Sequence, residues 1–546
     1  MTVTRLQAAL VPRVEPLRLS LQAASDRMQD SLIGGAYSAI AREAGDGAAA
    51  LFLPDGRLLA QARSLPLLLG SLIPAVAAVL QRFPAGTMQE GDGYLLNDPF
   101  AGGTHLPDLT LIRPIFLDGE MIGIAAASLH HQDVGGITPG SIPPHATSIF
   151  QEGLRIPPMR SHRNGVLDRQ LEALLVANSR TPDLLLGDLS SQWSATSLGS
   201  RELQALAARE GRSFGALCDA LIMQAEALTR QALLACPDGT GQWEDALDSD
   251  GVGDDPVPIR VTVEKRGDRL RIDFTGSASQ TRGPVNAAPA AVLSAALYFM
   301  RSLAPDAPNN AGCLAPLDLV LPEGSVVNPR WPAAVNARTG TVKLACNAII
   351  GAWSSIAPAA ATAANAGVAA VIAFAGTGAD GRSFALTEVM ASGAGGHSGG
   401  PGTSGISTDV SNARNTPVEI IEARTPIRIE SYGLAAGSGG AGRHRGGDGL
   451  RRVYCLTGGS GMVSYRGERH CHAARGAAGG APGAVSRAWI ERMDGRIETL
   501  GAKAQFEWAA GDRLHVETAG AGGWGQPEGQ QAEGQQANAS SEREGD

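Results

Sequence analysis

From Leu21 onward, apolar or small residues recur at Leu21, Ala24, Met28, Leu32, Ala36 and Ile40. Steps of three and four put them on one helical face, so a helix is predicted over 17–42. Ala48 to Leu53 and Leu58 to Ala62 flank Pro54-Asp55-Gly56-Arg57, which reads as strand, turn and strand. Helical spacing returns over 71–83. A second hairpin is expected at 109–128, turning at Asp118-Gly119. A third is expected at 257–275, where Ile259, Val261 and Val263 alternate with other residues, as do Leu270, Ile272 and Phe274. Between these two hairpins, 167–235 reads as consecutive helices. The uncharged stretch 344–379 is mostly Ala, Gly, Ser, Thr and Asn with Pro358 inside. Membrane spans are dominated by Leu, Ile, Phe and Val, so a buried helix or helix pair is expected there.

After about residue 380 the texture changes to short β-like runs, at 418–422, 427–432, 450–456 and 513–518, separated by glycine clusters. The end repeats EGQQA at 528–532 and 533–537 and holds no aromatic or large aliphatic residue, so it is expected to be disordered. The whole reads as an α+β chain of several subdomains. These are an α/β part with a candidate metal motif (1–165), a helical segment (166–245), a mixed α/β part (246–380), a glycine-rich, mostly β part (381–527) and the tail (528–546).

Composition narrows the partners. The chain has 546 residues and 43% hydrophobic content, enough for a large core, while 70 glycines and 32 prolines call for many turns. Its net charge is −9, and the only lysines are Lys265, Lys343 and Lys503. Nucleic acid and anionic membranes are poor partners for such a surface. The six cysteines are scattered without a CxxC pair, which fits a reducing cytoplasm. At the N-terminus Arg5, Arg13 and Glu15 interrupt the apolar residues before a signal-peptide core could form.

Several motifs lack their context. GSGGAG at 437–442 and GAGGWG at 520–525 match the dinucleotide glycine pattern but open no predicted helix, so the helix N-terminus that would hold a pyrophosphate is missing. GHSGG at 396–400 would make Ser398 a nucleophile, yet Gly399-Gly400-Pro401-Gly402 follow where that elbow requires a helix. No lysine follows a glycine anywhere, which excludes a Walker A phosphate loop.

One window does carry chemistry. NDPFAGGTHLPD, then a hairpin, then LHHQDVGG interleave His105, His130 and His131 with Asp98, Asp108 and Asp133, and His145 lies just beyond. A two-residue turn at Asp118-Gly119 sets position 107 opposite His130 and position 105 opposite 132. His105, Asp108 and His130 then converge at the open end of one hairpin. Alternation points His130 and His131 to opposite sides. Two imidazoles with carboxylates suit a borderline divalent ion, Zn, Mn, Fe or Ni. The same residues also fit a hydrogen-bonded His/Asp network that stabilises glycine loops. His162, His444, His470, His472 and His515 show no such grouping and read as surface or core.

The stretches LLNDPFAGGTHLPDLTLIRPIF, HHQDVGGITPGSIPPHATSIFQEGLRIPP, RNTPVEIIEARTPIRIESY, GSGGAGRHRGGDGLRR and GDRLHVETAGAGGWGQP together resemble the hydantoinase B and 5-oxoprolinase family, in order, from about residue 20 to 527. The resemblance implies the metal-bearing subunit of an ATP-dependent hydrolase that opens cyclic amides such as hydantoin, N-methylhydantoin or 5-oxoproline. ATP would be used on a separate hydantoinase A-type subunit in a hetero-oligomer, activating the carbonyl that metal-activated water attacks. By the same resemblance the metal ligands are Asp46, His105, Asp108 and His130, with His131 and Asp133 orienting ligands or moving protons. Distant members carboxylate acetone or acetophenone, which is the alternative enzymatic reading; a non-catalytic scaffold for the ATP-binding subunit is the third. The chain departs from the family pattern at Asp46-Gly47-Ala48, at Pro66-Leu67-Leu68-Leu69-Gly70 and at Ile406 to Val410, the last two lacking a histidine usual there.

Overall fold

The computed structural model describes residues 3–527, with side chains from residue 12 onward. The glutamine-rich tail at 528–546 lies outside the described residues.

The chain opens with α1 (Val3–Gly35) and the single turn α2 (Ala39–Arg42). The predicted face is buried, Leu21, Ala24, Met28 and Leu32 all being inaccessible. The predicted continuous helix to 42 is nevertheless broken, for a side-chain reason. The Asp188 carboxylate accepts the backbone N–H groups of Tyr37 (2.7 Å) and Ser38 (3.1 Å), drawing those donors off a helical path, and Ser38 caps α2.

Next come β1 (Gly47–Phe52), β2 (Leu58–Gln61), α3 (Pro66–Arg82), β3 (Gly93–Leu96), β4 (Asp108–Leu117), β5 (Glu120–His130), β6 (Met159–Arg163) and β7 (Val166–Leu167). The strands form one antiparallel sheet in the order β2-β1-β5-β4-β3-β6-β7. Asp118 and Gly119 both take positive φ (51° and 82°), the backbone that a two-residue hairpin turn demands. The register holds at Leu117↔Glu120 and Phe116↔Met121, then slips at a bulge around Ile122, so that Ile115 pairs with Gly123. Asp108, rather than position 107, therefore stands opposite His130.

The helical middle is α4 (Arg169–Ala177), α5 (Pro182–Glu210) and α6 (Phe214–Leu234), with α5 packed on β4 and β5 and α1 on β1, β2 and α5. Then follow β8 (Gly239–Leu247), β9 (Val257–Arg266), β10 (Arg269–Asp273), α7 (Pro289–Leu303), β11 (Leu317–Val320) and α8 (Arg338–Ile356). The order of this second sheet is β11-β10-β9-β8. One continuous core joins Phe52 and Ile124 to Val263, Val292 and Ala345. The uncharged stretch from 344 contains the buried α8, as expected, but not a helix pair. The helix stops at Ile356 because Ala357, before Pro358, is pushed off the helical region; a single 3-10 turn follows, and β12 begins at Ala370.

The rest comprises β12 (Ala370–Thr377), β13 (Ser383–Met390), α9 (Val418–Arg424), β14 (Ile427–Leu434), β15 (Leu450–Leu456), β16 (Ser460–Arg466), β17 (Arg487–Glu491), β18 (Ile497–Leu500), β19 (Lys503–Ala509) and β20 (Arg513–Glu517). Two antiparallel sheets result, β13-β12-β16-β19 and β14-β15-β20-β17-β18. The expected strand at 418–422 is a helix. Pro417 precedes it, Glu419 stands in its first turn and Arg424 in its last, which outweighs the β-branched Ile420-Ile421 pair.

The glycine clusters have a packing role. Gly440 N–H donates to Ala521 O, Gly396 N–H to Gly522 O and Gly523 N–H to Ala481 O at 2.8–2.9 Å, tying unpleated segments backbone to backbone. A Cβ on Gly439 would stand 1.9 Å from Gly446 O, and one on Gly520 1.9 Å from Ser438 O. Side chains are excluded because main chains touch there, and among the described residues no helix follows either motif.

Candidate metal centre

The open end of the β4–β5 hairpin gathers three buried side chains. His105 Nε2 lies 2.9 Å from Asp108 Oδ1 and 3.2 Å from His130 Nδ1, and His130 Nδ1 lies 3.0 Å from the same Asp108 oxygen. Around a tetrahedral or octahedral ion with bonds of about 2.0–2.2 Å, neighbouring donors stand about 2.9–3.5 Å apart, so the spacings fit a divalent ion. Among the described residues it is the one group of three or more His, Cys, Asp or Glu side chains so arranged. His105 Nδ1 and His130 Nε2 are buried without a partner, so neither ring is held by a competing bond on its far side.

The second oxygen of Asp108 accepts hydrogen bonds from Arg338 (2.6 Å) and Thr104. Burial opposes ionisation of Asp108, but His105, Arg338 and the two imidazole bonds outweigh it and hold the carboxyl well below its usual range. Burial, reinforced by Arg338, takes His105 down to about 3, so its imidazole is neutral and keeps a lone pair. Asp46 stands one step out. Its Oδ2 is 3.9 Å from His130 Nδ1, its main-chain oxygen accepts the His130 N–H, and burial raises its carboxyl to about 6.

His131 points the other way. Its Nε2 meets Gln192 Oε1 at 3.0 Å, and Gln192 donates to the carbonyls of Leu109 and Ala127, so α5 is stitched to both strands of the hairpin. Asp133 is likewise engaged elsewhere. It accepts from the N–H groups of Gly135, Gly140 and Arg180 and pairs with the Arg180 guanidinium, fixing the loop after β5. Asp98 caps the short turn at Pro99–Ala101, and His145 bonds to Gly251 O. Neither joins the cluster.

A pocket of about 50 Å³ opens beside the cluster, bounded by Asp46, His105, His130, Arg338 and Arg466 with apolar walls from Leu65, Leu67 and Val371. A much larger cleft of about 1240 Å³, bordered by His145, Asp248, His470 and Trp489, lies elsewhere and contains none of the three cluster residues. Donor chemistry places the site in the smaller one. The arginines were not legible as site residues. Asn336-Ala337-Arg338-Thr339 and Tyr465-Arg466-Gly467 hold no motif, and only tertiary closure brings them to the hairpin.

A hairpin-borne imidazole and carboxylate cluster, locked by a buried arginine, has the donors and spacing that a divalent ion requires. The family is visible over nearly the whole chain: residues 13–527 match the sequence profile described as Hydantoinase B/oxoprolinase, and the chain belongs to that family. It is 31% identical to 5-oxoprolinase 1 of Arabidopsis thaliana over 92% of its own length, but spans 40% of that longer protein. To the B-type component of a putative D-/L-hydantoinase from a Pseudomonas strain it is 30% identical, over 83% of this chain and 79% of the relative. The ATP-dependent caprolactamase of Pseudomonas jessenii superposes with a TM-score of 0.87 at 27% identity, covering 94% of this chain and 90% of that one. An acetone carboxylase reaches the same TM-score at 20% identity, a likeness of fold alone.

Proposed function

We propose that this chain is the metal-bearing subunit of an ATP-dependent hydrolase that opens a cyclic amide or imide ring, with ATP handled by a separate A-type subunit. The buried His105, Asp108 and His130 set, in a chain without a phosphate loop, is the observation that carries this reading. Two likenesses support the division of labour: the relative named as one component of a putative hydantoinase, and the 5-oxoprolinase of which this chain spans 40%.

A divalent ion at these residues would supply Lewis acidity and lower the pKa of water toward neutrality. His105 Nε2, His130 Nδ1 and Asp108 Oδ1 would hold it, and Asp46 would complete the set from the turn after α2. Arg338 and Thr104 occupy the second oxygen of Asp108, leaving the first to face the imidazoles. Through Gln192, His131 fixes the hairpin strands, and Asp133 fixes the loop beyond them; both act as positioning residues. The apolar wall of Leu65, Leu67 and Val371 suits a small ring. An unstrained amide keeps its resonance, so activation by ATP on the partner is needed before the ring opens.

The test is reconstitution with the A-type partner. Hydantoin or 5-oxoproline should be opened with release of phosphate, and Asp108→Ala should abolish product. Ring opening by this chain alone without ATP would overturn the mechanism. Bicarbonate-dependent consumption of a ketone would replace it with the carboxylase reading.

A further inference from the structure

Seven lysine or arginine side chains are buried among the described residues: Lys265, Arg338, Lys343, Arg452, Arg466, Arg469 and Lys503. Six of them face a carboxylate. Their partners are Asp238, Asp108, Asp409, Glu388, Asp245 and Glu468, respectively, once Arg466 is set aside. Arg466 alone has no carboxylate oxygen within 4.0 Å among the described residues. Its NH1 group donates to the main-chain oxygen (2.7 Å) and the side-chain oxygen of Asn336, both neutral. Its Nε is buried with no acceptor, and so is the Nε of neighbouring Arg338.

An uncompensated buried guanidinium is costly, and proteins ordinarily pair it. This chain does so six times out of seven. The nearby acid Glu152 does not restore balance: its Oε1 accepts the N–H groups of Val335 and Asn336, and burial raises its carboxyl to about 8, leaving it mostly protonated at neutral pH. Arg466 ends β16 directly opposite Val371, and both line the pocket that holds His105 and His130. The pocket is small, about 50 Å³, and places Arg466 beside His105, His130 and Arg338.

We infer that Arg466 is a substrate-binding residue, anchoring an oxyanion carried by the small substrate beside the His105, Asp108 and His130 cluster. The anion is either a carboxylate on the ring or the phosphoryl group placed on its oxygen by the partner. This rests on the hydrolase reading for the identity of the substrate, but not for the anion site itself. Arginine suits the task because its planar fork bonds two oxygens at once.

The experiment measures binding of inorganic phosphate, 5-oxoproline and 2-pyrrolidone to the metal-loaded full chain by calorimetry, in wild type, Arg466→Met and Arg466→Lys. Metal content is checked to be equal. Arg466→Met should weaken oxyanion binding about ten- to a hundredfold, with Arg466→Lys in between. If the anion is the ring carboxylate, 5-oxoproline loses affinity and 2-pyrrolidone does not. If it is the phosphoryl group, phosphate loses affinity and the two rings behave alike. A structural arginine would behave differently, so melting of the ligand-free protein is the second readout. Arg466→Met should melt no lower than wild type, whereas Arg469→Met, which strands Asp245, should melt lower. Unchanged affinity for both phosphate and 5-oxoproline in Arg466→Met overturns the inference, as does a melting loss matching Arg469→Met without an affinity loss. The two readings fail separately. If the reconstituted complex opens no ring while phosphate binding still depends on Arg466, the hydrolase reading falls and the anion site stands. If ring opening is unchanged in Arg466→Met, the anion site falls and the hydrolase reading stands.

Discussion

Asp108 is the residue on which both the candidate ligand set and the local fold depend, and its removal can be sized. Asp108→Ala deletes the acceptor of two imidazole bonds at 2.9 and 3.0 Å and the ion-pair partner of Arg338 at 2.6 Å, where both side chains are under 5% exposed. Breaking a buried pair from one side costs about 3–5 kcal/mol, most of it the penalty of the stranded charge. With an unfolding entropy of about 2.1 cal/mol/K per residue, a chain of this length melts about 1 °C lower per kcal/mol, so the shift is about 3–5 °C if it unfolds as one unit. Melts should be recorded in excess EDTA, so that loss of a bound ion does not enter the difference. Arg338→Met placed on Asp108→Ala should return most of the loss, because the stranded guanidinium is then gone. Asp108→Ala within 1 °C of wild type, or a double variant no better than the single, would refute the account of Asp108 as the counter-charge of Arg338.

Other expectations follow from the same geometry. His130→Ala should strip a stoichiometric divalent ion from the purified protein, whereas His131→Ala should keep it, since His131 faces Gln192; metal analysis decides, and equal loss would contradict the strand alternation. His162, stacked on Trp193 at 4.1 Å, is lowered to about 4 by burial, with Arg113 adding to it. The unfolded chain therefore takes up a proton near pH 6.5 that the fold refuses, so stability is full above that pH and falls as pH drops toward 4, by up to about 3 kcal/mol from this group. Denaturant titrations at pH 7 and 4.5 should show a smaller fall in His162→Phe than in wild type. Gly520→Ala puts a methyl 1.9 Å from Ser438 O, where the obstacle is main chain, and should cost about 1–3 kcal/mol or more in the same titrations; Gly433→Ala, with open space around its Cβ, should cost less than 1 kcal/mol.

Most elements that bury one face were readable, because apolar period and turn chemistry act locally. The face of α1, the β1–β2 hairpin and the Asp118-Gly119 turn needed only sequence neighbours to specify them. One expectation failed because its cause lies far away in the chain. The break after Gly35 is made by Asp188, about 150 residues away, and nothing in the spacing of Leu32, Ala36 and Ile40 announces it. The 418–422 segment shows the opposite error, where the β-branched Val418, Ile420 and Ile421 hid a short helix whose flanking Pro417 and terminal charges were in plain view.

The site divides along the same line. Convergence of His105, Asp108 and His130 was legible because one hairpin carries all three, even though a bulge near Ile122 shifts the pairing by one residue. The shift does not undo the convergence, since the cluster forms at the open end of the hairpin, where the His105–Asp108 turn brings two of the three together within four residues. Gly123 is the trace the bulge leaves in sequence: a Cβ there would meet Phe52 O at 2.8 Å and Leu203 at 2.5 Å. Arg338 and Arg466 are another matter. They come from the start of α8 and the end of β16, far from the hairpin in sequence, and reach it only in the tertiary fold. A hairpin can thus advertise a donor set by itself. The charge that tunes the set is a property of the assembled fold, since Arg338 meets Asp108 from 230 positions away, so the donors are visible in a short stretch of sequence and their counter-charge is not.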